Sequence, residues 1–299
     1  MLYTNLNLFF TDDNDKKFVK LCEVEHPYPA TKVMWAPQTL DADSGTGQTG
    51  TSPERDLIAT TGDYLRIWSV SEGRCEMRSV LNSNNKHTEY CAPLTSFDWN
   101  ETETSMIGTC SIDTTCTIWD INAKEPKTQL IAHDKEVYDI AFAVGKNVFG
   151  TVGADGSFRM FDLRSLEHST ILYETPDLSP LVRLVWNKQD VNYVAAISTN
   201  SNNAIILDIR VPSTPVAVLQ GHHAAINGVA WAPHSAYHIC TCSDDKQALI
   251  WDMTAAPKVI EEPILAYSAE GEINQVQWSA SHKDWVGIVY NDKVQILRV

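Results

Sequence analysis

The sequence predicts an all-β protein built from repeated four-stranded sheets. Six segments share one pattern: an apolar run ending in Trp or Phe, a second apolar run, and an Asp-rich turn leading into an aromatic residue or Leu. The first aromatic of each falls at Trp35, Trp99, Phe142, Trp186, Trp231 and Trp278, with spacings of 64, 43, 44, 45 and 47 residues. The closing positions, Trp68, Trp119, Phe161, Leu207, Trp251 and Leu297, lie 51, 42, 46, 44 and 46 apart, and Asp follows four of them. One such repeat cannot bury its own apolar face, so neighbouring repeats must stack to share a core.

Each element follows from local pattern. Thr31 to Trp35, Leu57 to Thr61, Ser96 to Trp99, Val137 to Phe142, Ile226 to Trp231, Ala248 to Trp251 and Val294 to Val299 are short apolar or alternating runs rich in β-formers, and predict strands. Turn chemistry separates them at Gly62-Asp63, Ala154-Asp155-Gly156 and Asn291-Asp292. Ahead of the first repeat, Asn5 to Phe10 and Lys17 to Val24 predict a hairpin across the Asp12-Asp13-Asn14-Asp15 turn. Leu40 to Pro53 is too rich in Gly, Ser, Thr and Asp to pack, which predicts a mobile loop and explains much of the 64-residue gap; Asn82 to Tyr90 is a second polar excursion. A period of this length ending in Trp-Asp is the WD-repeat signature, with one propeller blade per repeat. The expected organisation is therefore a partial first blade in residues 1–25 and six complete repeats in 26–299, in a single closed propeller domain.

Three repeats carry a polar set at fixed spacing. His222, Ser243, Asp245 and Trp251 form one; His133, Asp155 and Phe161 form another, with Phe lacking the indole donor; Ser111, Asp113 and Trp119 form the third, with Tyr90 where His would stand. These look like catalytic triads, but they recur once per repeat instead of converging on one site. The reading is therefore structural: each Asp is buried and satisfied by imidazole, hydroxyl and backbone donors.

Composition narrows the function. A net charge of −15 and a pI near 4.9 oppose direct binding to nucleic acid, whose phosphates need Lys and Arg, and fit equally a surface that attracts basic protein partners or one that keeps the protein soluble. No apolar stretch reaches membrane-spanning length and no signal peptide is apparent, which predicts a soluble, unexported chain. The seven Cys contain no C-x-x-C and predict reduced thiols. Gly45-Thr46-Gly47-Gln48-Thr49-Gly50 matches a dinucleotide fingerprint but has no following helix to receive a pyrophosphate. His234, His238, Cys240 and Cys242 group soft ligands, yet strand alternation leaves His234 in the preceding turn, and the predicted metal content is none. No nucleophile and base pair is evident, so no enzyme activity and no cofactor are expected.

Longer runs carry a resemblance. His26-Pro27-Tyr28-Pro29, Cys91 to Asn100, Ser111 to Trp119, Gln129 to Val137 and Trp186 to Asp190 resemble the eukaryotic WD-repeat adaptor family that contains plant Transparent Testa Glabra and the animal DDB- and cullin-associated adaptor of dual-specificity tyrosine-regulated kinases. The resemblance covers about nine-tenths of the chain. It implies a monomeric, seven-bladed, non-enzymatic scaffold of nucleus and cytoplasm that assembles Myb and basic helix-loop-helix transcription factors, or protein kinases with their substrates. Here the first blade is incomplete, because the family normally begins earlier. Propeller geometry places partner-binding residues beside the first inward apolar residue and before the turn Asp: Glu136 and Tyr138, with Thr95, Ile112, Asn227, Asp244, Glu272 and Asn274 at corresponding positions. Tyr138 is the expected anchor. An alternative function is a substrate receptor of a cullin-RING ubiquitin ligase, since Asp162 with Arg164 and Asp208 with Arg210 vary the W-D-x-R pattern by which such receptors engage the ligase's damage-binding adaptor. A local ion pair explains each equally well.

Overall fold

The computed structural model describes residues 4–12, 17–37, 57–71, 73–82, 91–254 and 256–299, and every regular element among them is a strand. The chain divides into two compact units, Met1–Ile131 and Ala132–Val299.

The first unit opens with an antiparallel hairpin, β1 (Thr4–Asp12) and β2 (Lys17–His26). Its apolar side, through Leu8, Leu21, Cys22 and Val24, packs on Ile58, Trp68 and Val70. Those belong to the first four-stranded antiparallel sheet: β3 (Lys32–Trp35), β4 (Leu57–Thr61), β5 (Leu65–Ser71) and β6 (Arg74–Leu81). The second sheet is β7 (Leu94–Trp99), β8 (Met106–Ser111), β9 (Thr115–Asp120) and β10 (Glu125–Ile131). Leu57, Ile67, Phe97, Trp99 and Trp119 fill the layer between the two sheets. Trp35 departs from the expected core: it stands 51% exposed on the face of β3 opposite Met34, which packs into that layer. The predicted loop Leu40 to Pro53, with its Gly45 to Gly50 motif, lies outside the described residues, as does Tyr90.

The second unit repeats the plan. β11 (Val137–Phe142), β12 (Val148–Gly153), β13 (Ser157–Asp162) and β14 (Ser165–Glu174) make one sheet. The next has β15 (Leu181–Trp186), β16 (Tyr193–Ser198), β17 (Asn203–Asp208) and β18 (Pro215–Gln220). Then β19 (Ile226–Trp231), β20 (His238–Ser243) and β21 (Gln247–Asp252) are followed by β22 (Lys258–Ile260) and β23 (Leu265–Ser268). β23 completes that sheet, whereas β22 crosses to the preceding one and pairs in parallel with β18, making it five-stranded. The last sheet, β24 (Ile273–Trp278), β25 (Trp285–Tyr290) and β26 (Lys293–Arg298), has three strands among the described residues where a complete four-stranded repeat was expected.

Bulk sets the spacing between sheets. Buried Phe158, Trp186 and Leu207 lie in one layer, Trp231, Trp251 and Ile239 in the next, and Trp278 with Ile288 in the third. Gly150 is required by this packing, since a Cβ there would lie 2.4 Å from the Phe158 ring and 3.1 Å from Trp186. No helix among the described residues is long and apolar enough to cross a membrane.

Candidate functional site

The polar set of the sequence assembles most fully at the β20–β21 turn. His222, buried just before β19, places Nδ1 2.8 Å from Asp245 Oδ2 and Nε2 2.8 Å from Thr241 Oγ1, and Trp251 Nε1 donates to the same hydroxyl oxygen at 2.9 Å. The network fixes the tautomer: Nδ1–H donates to the carboxylate, and Nε2 accepts the Thr241 proton. Backbone N–H groups of His223 and Gln247 donate to Asp245 at 2.9 Å each. Lys246 between them takes the left-handed φ of 69°, which lets the chain fold back onto the carboxylate.

The β12–β13 turn builds the same arrangement with more charge. His133 Nδ1 lies 3.0 Å from both Asp155 oxygens, its Nε2 lies 2.8 Å from Thr151 Oγ1, and Ser157 donates through Oγ at 2.8 Å to Asp155. Arg159 adds a 2.9 Å ion pair to Asp155 and a 2.6 Å one to exposed Asp134. Phe161 has no donor and instead stacks on Phe149, centroids 5.1 Å apart.

Two expectations are corrected. Ser243 and Ser111 do not donate to their aspartates: their hydroxyls donate to the carbonyls of Ala224 at 3.1 Å and Pro93 at 3.0 Å, and they accept from the N–H of Asp245 and Asp113. The hydroxyl that meets the closing ring lies two residues earlier on the same face, at Thr241 and Thr109, whereas each Ser sits at its strand's end, beside the carbonyl it bonds. Asp113 is not buried either. Among the described residues it accepts only from Thr115, from N–H at 3.0 Å and from Oγ1 at 2.6 Å, on an exposed turn. Without a histidine partner in the described structure, it caps a turn and does not anchor a core network. Trp119 still donates to Thr109 Oγ1 at 2.8 Å.

A fourth set escaped the sequence reading. His26 Nε2 lies 3.1 Å from Thr60 Oγ1, to which Trp68 Nε1 donates at 2.9 Å, while the His26 Nδ1 bonds the Tyr28 carbonyl in place of an Asp. The missed signal is a Thr ten residues before the closing ring, as in Thr109, Thr151 and Thr241; at Thr60 a shorter turn reduces it to eight.

Electrostatics agree with a structural role. Burial pushes the Asp155 and Asp245 carboxyls up, but hydrogen bonds from His133 and Ser157 at one, and from His223, His222 and Gln247 at the other, hold both below the usual value. Burial pushes His222 down, against the opposing pull of Asp245. Acid therefore acts in one direction. Protonating His222 disfavours the fold as pH falls below its unfolded value near 6.5, and the carboxylates, whose contribution is present above about 3.8, lose it as pH falls through their lowered folded values. The melting temperature should decline below pH ~6.5 and more steeply below ~3.8. His222→Gln should flatten the upper part of that curve, and an unchanged slope there would contradict the assignment.

The predicted partner-binding residues separate by exposure. In the second unit Glu136, Glu272 and Asn274 are exposed and Tyr138 is half-buried; Asn227 donates to Asp244 Oδ1 at 2.6 Å and to the Ile273 carbonyl at 3.0 Å. In the first unit Ile112 is 42% exposed and half-buried Thr95 lies 3.2 Å from Cys110 Sγ. Asp162 and Arg164, at the end of β13, form a local fork with bonds of 2.5 to 3.1 Å, and the Arg164 hydrogen bond holds the Asp162 carboxyl down at about 2. Asp208 and Arg210, at the end of β17, repeat it at 2.9 and 2.6 Å. Both arginine side chains remain mostly exposed, at 69% and 58%. His234 packs edge-on against Trp278 and His238 bonds Ser235, leaving Cys240 and Cys242 buried apart from them; among the described residues no group of acidic, His or Cys side chains is placed to hold a metal ion.

The WD domain, G-beta repeat family matches residues 124–162 and 213–252, spans that include the His133, Asp155 and Phe161 set and the His222, Asp245 and Trp251 set. The chain is 55% identical over 298 residues to the DDB1- and CUL4-associated factor 7 homolog of Dictyostelium discoideum, covering 99% of this chain and 88% of that protein. It is 36% identical to an uncharacterized WD repeat-containing protein of Schizosaccharomyces pombe, covering 98% and 80% of the two chains, and 32% identical to a WD repeat-containing protein of Saccharomyces cerevisiae, covering 91% and 66%. The Dictyostelium relative supports the cullin-associated side of the expected resemblance rather than Transparent Testa Glabra. Repeated four-stranded sheets, the family model's match to two repeats and 55% identity over nearly the full length together place the chain in the WD-repeat family that includes the DDB1- and CUL4-associated factor 7 homolog.

Proposed function

We propose that this protein is a non-enzymatic WD-repeat adaptor that presents substrates to a cullin-4 RING ubiquitin ligase. The observation that carries the reading is the 55% identity to a protein named as DDB1- and CUL4-associated, over nearly all of both chains. It favours the ligase alternative over the transcription-factor scaffold.

Geometry adds local support. The two Asp-x-Arg forks end equivalent third strands, β13 and β17, of sheets that pack against each other, so both guanidinium groups are pre-ordered by their own Asp while exposed donors stay free for an acceptor. Glu136 and Tyr138, beside the His133 network, are the proposed cargo contacts, with Asn227, Asp244, Glu272 and Asn274 beyond them. A rigid aromatic at such a position supplies the anchor, and the acidic net charge steers basic clients. The seven-bladed count belongs to the same proposal, β1 and β2 being the described strands of a further blade.

Purified damage-binding adaptor titrated with this chain tests the reading. Wild type should bind, and the Arg164→Glu, Arg210→Glu double variant should bind at least about tenfold more weakly, roughly 1.4 kcal/mol, with an unchanged melting curve. No binding by wild type would remove the ligase reading; equal binding by the double variant would remove only the forks.

A further inference from the structure

We propose that Thr214 is a phosphoacceptor for proline-directed Ser/Thr kinases and that its phosphate captures the Arg210 guanidinium. Three Ser/Thr-Pro pairs occur: Ser52-Pro53, Thr175-Pro176 and Thr214-Pro215. The structure separates them. Ser52 lies outside the described residues. Thr175 is 5% exposed, and its hydroxyl donates to the Ser179 carbonyl at 2.9 Å, so a kinase cannot reach it without unfolding the turn. Thr214 is exposed, and among the described residues nothing hydrogen-bonds its hydroxyl.

Its setting is a built one. Thr214 ends the turn between β17 and β18, which is pinned by the Val211 N–H on the Asp208 carbonyl at 2.9 Å and the Ser213 N–H on the Leu172 carbonyl at 2.6 Å. Leu207 pairs with Pro215, so one step outward Thr214 stands level with Asp208, the acceptor of the Arg210 fork. In the transfer, Thr214 Oγ1 attacks the γ-phosphorus of ATP, the bond to the ADP oxygen breaks, the hydroxyl proton passes to the kinase's base, and ADP leaves. The product is a dianion beside one carboxylate and one exposed guanidinium. Repulsion from Asp208, and from Asp190 near Arg210, opposes it, while Arg210 offers charge-assisted donors that a phosphate engages through two oxygens. The phosphate thus competes with Asp208 for Arg210. If Arg210 docks the ligase adaptor, phosphorylation weakens docking; that consequence alone rests on the function proposed above.

The test uses the full chain, ATP and a proline-directed kinase first shown to phosphorylate the isolated peptide of residues 208–220. Mass spectrometry should find near-complete phosphorylation at Thr214, retained in Thr214→Ser, lost in Thr214→Val and absent from Thr175. The Arg210 Nε–Hε NMR signal should shift on kinase treatment of wild type and stay put in treated Thr214→Val. An unphosphorylated folded chain beside a phosphorylated peptide would overturn the site. A phosphorylated chain with an unmoved Arg210 signal would overturn the capture. Neither measurement contains the ligase adaptor, so a failure of the ligase reading registers separately.

Discussion

Asp245→Ala should destabilise the second unit by about 3–5 kcal/mol, while Asp113→Ala, at the equivalent position of an equivalent motif, should cost the first about 1 kcal/mol or less. The two aspartates share their turn: each accepts the N–H two residues on, from Gln247 at 2.9 Å and from Thr115 at 3.0 Å, across a residue with left-handed φ. They differ in what lies behind the turn. The Asp245 side chain is 8% exposed against a His222 side chain that is wholly buried, and its loss strands the imidazole N–H together with the N–H of His223. Asp113 faces water, which can replace it. Chemical denaturation of both variants measures the difference. Equal costs would mean that the buried imidazole contributes nothing, and a wild-type Asp245→Ala with selectively lost activity would mean that the set is functional and not structural.

How much of this was legible follows from which forces write themselves into sequence. The first aromatic rings announce the strands because a sheet buried on both faces needs bulk at a constant phase, and β7, β11, β15 and β19 fall where apolar runs end in Phe or Trp. The aspartates and histidines were legible because few residue types satisfy their roles. The bridging threonines were not. Thr is a common strand former, so Thr151 and Thr241 read as ordinary β residues, whereas the Ser of the S-x-D spacing drew the assignment to itself. The crossing of β22 to β18 left no trace either, since three residues pairing in parallel with a neighbouring sheet carry no periodicity of their own. At the proposed docking forks the sequence shows an Asp-x-Arg pair but not whether it is closed on itself. Only the structure shows that it is closed while the arginine side chain stays mostly exposed.

Thr241→Val should be more damaging than Thr151→Val, by about 3 kcal/mol against about 1.5 kcal/mol, although the two threonines occupy the same place in their repeats and are equally buried. Valine keeps the shape and deletes the hydroxyl, so the cost is set by what the hydroxyl was satisfying. Thr241 serves two buried groups, accepting from Trp251 Nε1 at 2.9 Å and donating to His222 Nε2 at 2.8 Å. Thr151 serves His133 Nε2 alone, because the ring at the closing position is Phe161. Thr109 completes the comparison from the other side: it accepts from Trp119 Nε1 at 2.8 Å with no imidazole in the described structure. Each orphaned buried group carries a penalty of ~1–3 kcal/mol, so Thr151→Val and Thr109→Val should together approximate Thr241→Val. Phe161→Trp supplies the missing donor and offers a second route to the same answer: in that background Thr151→Val should become nearly as costly as Thr241→Val, provided the larger ring fits beside Phe149. Unfolding curves for the four single variants and the Phe161→Trp, Thr151→Val double variant measure the coupling. A Thr241→Val cost no larger than that of Thr151→Val would show that the indole donor finds another partner and that the hydroxyl is not the hinge of the set.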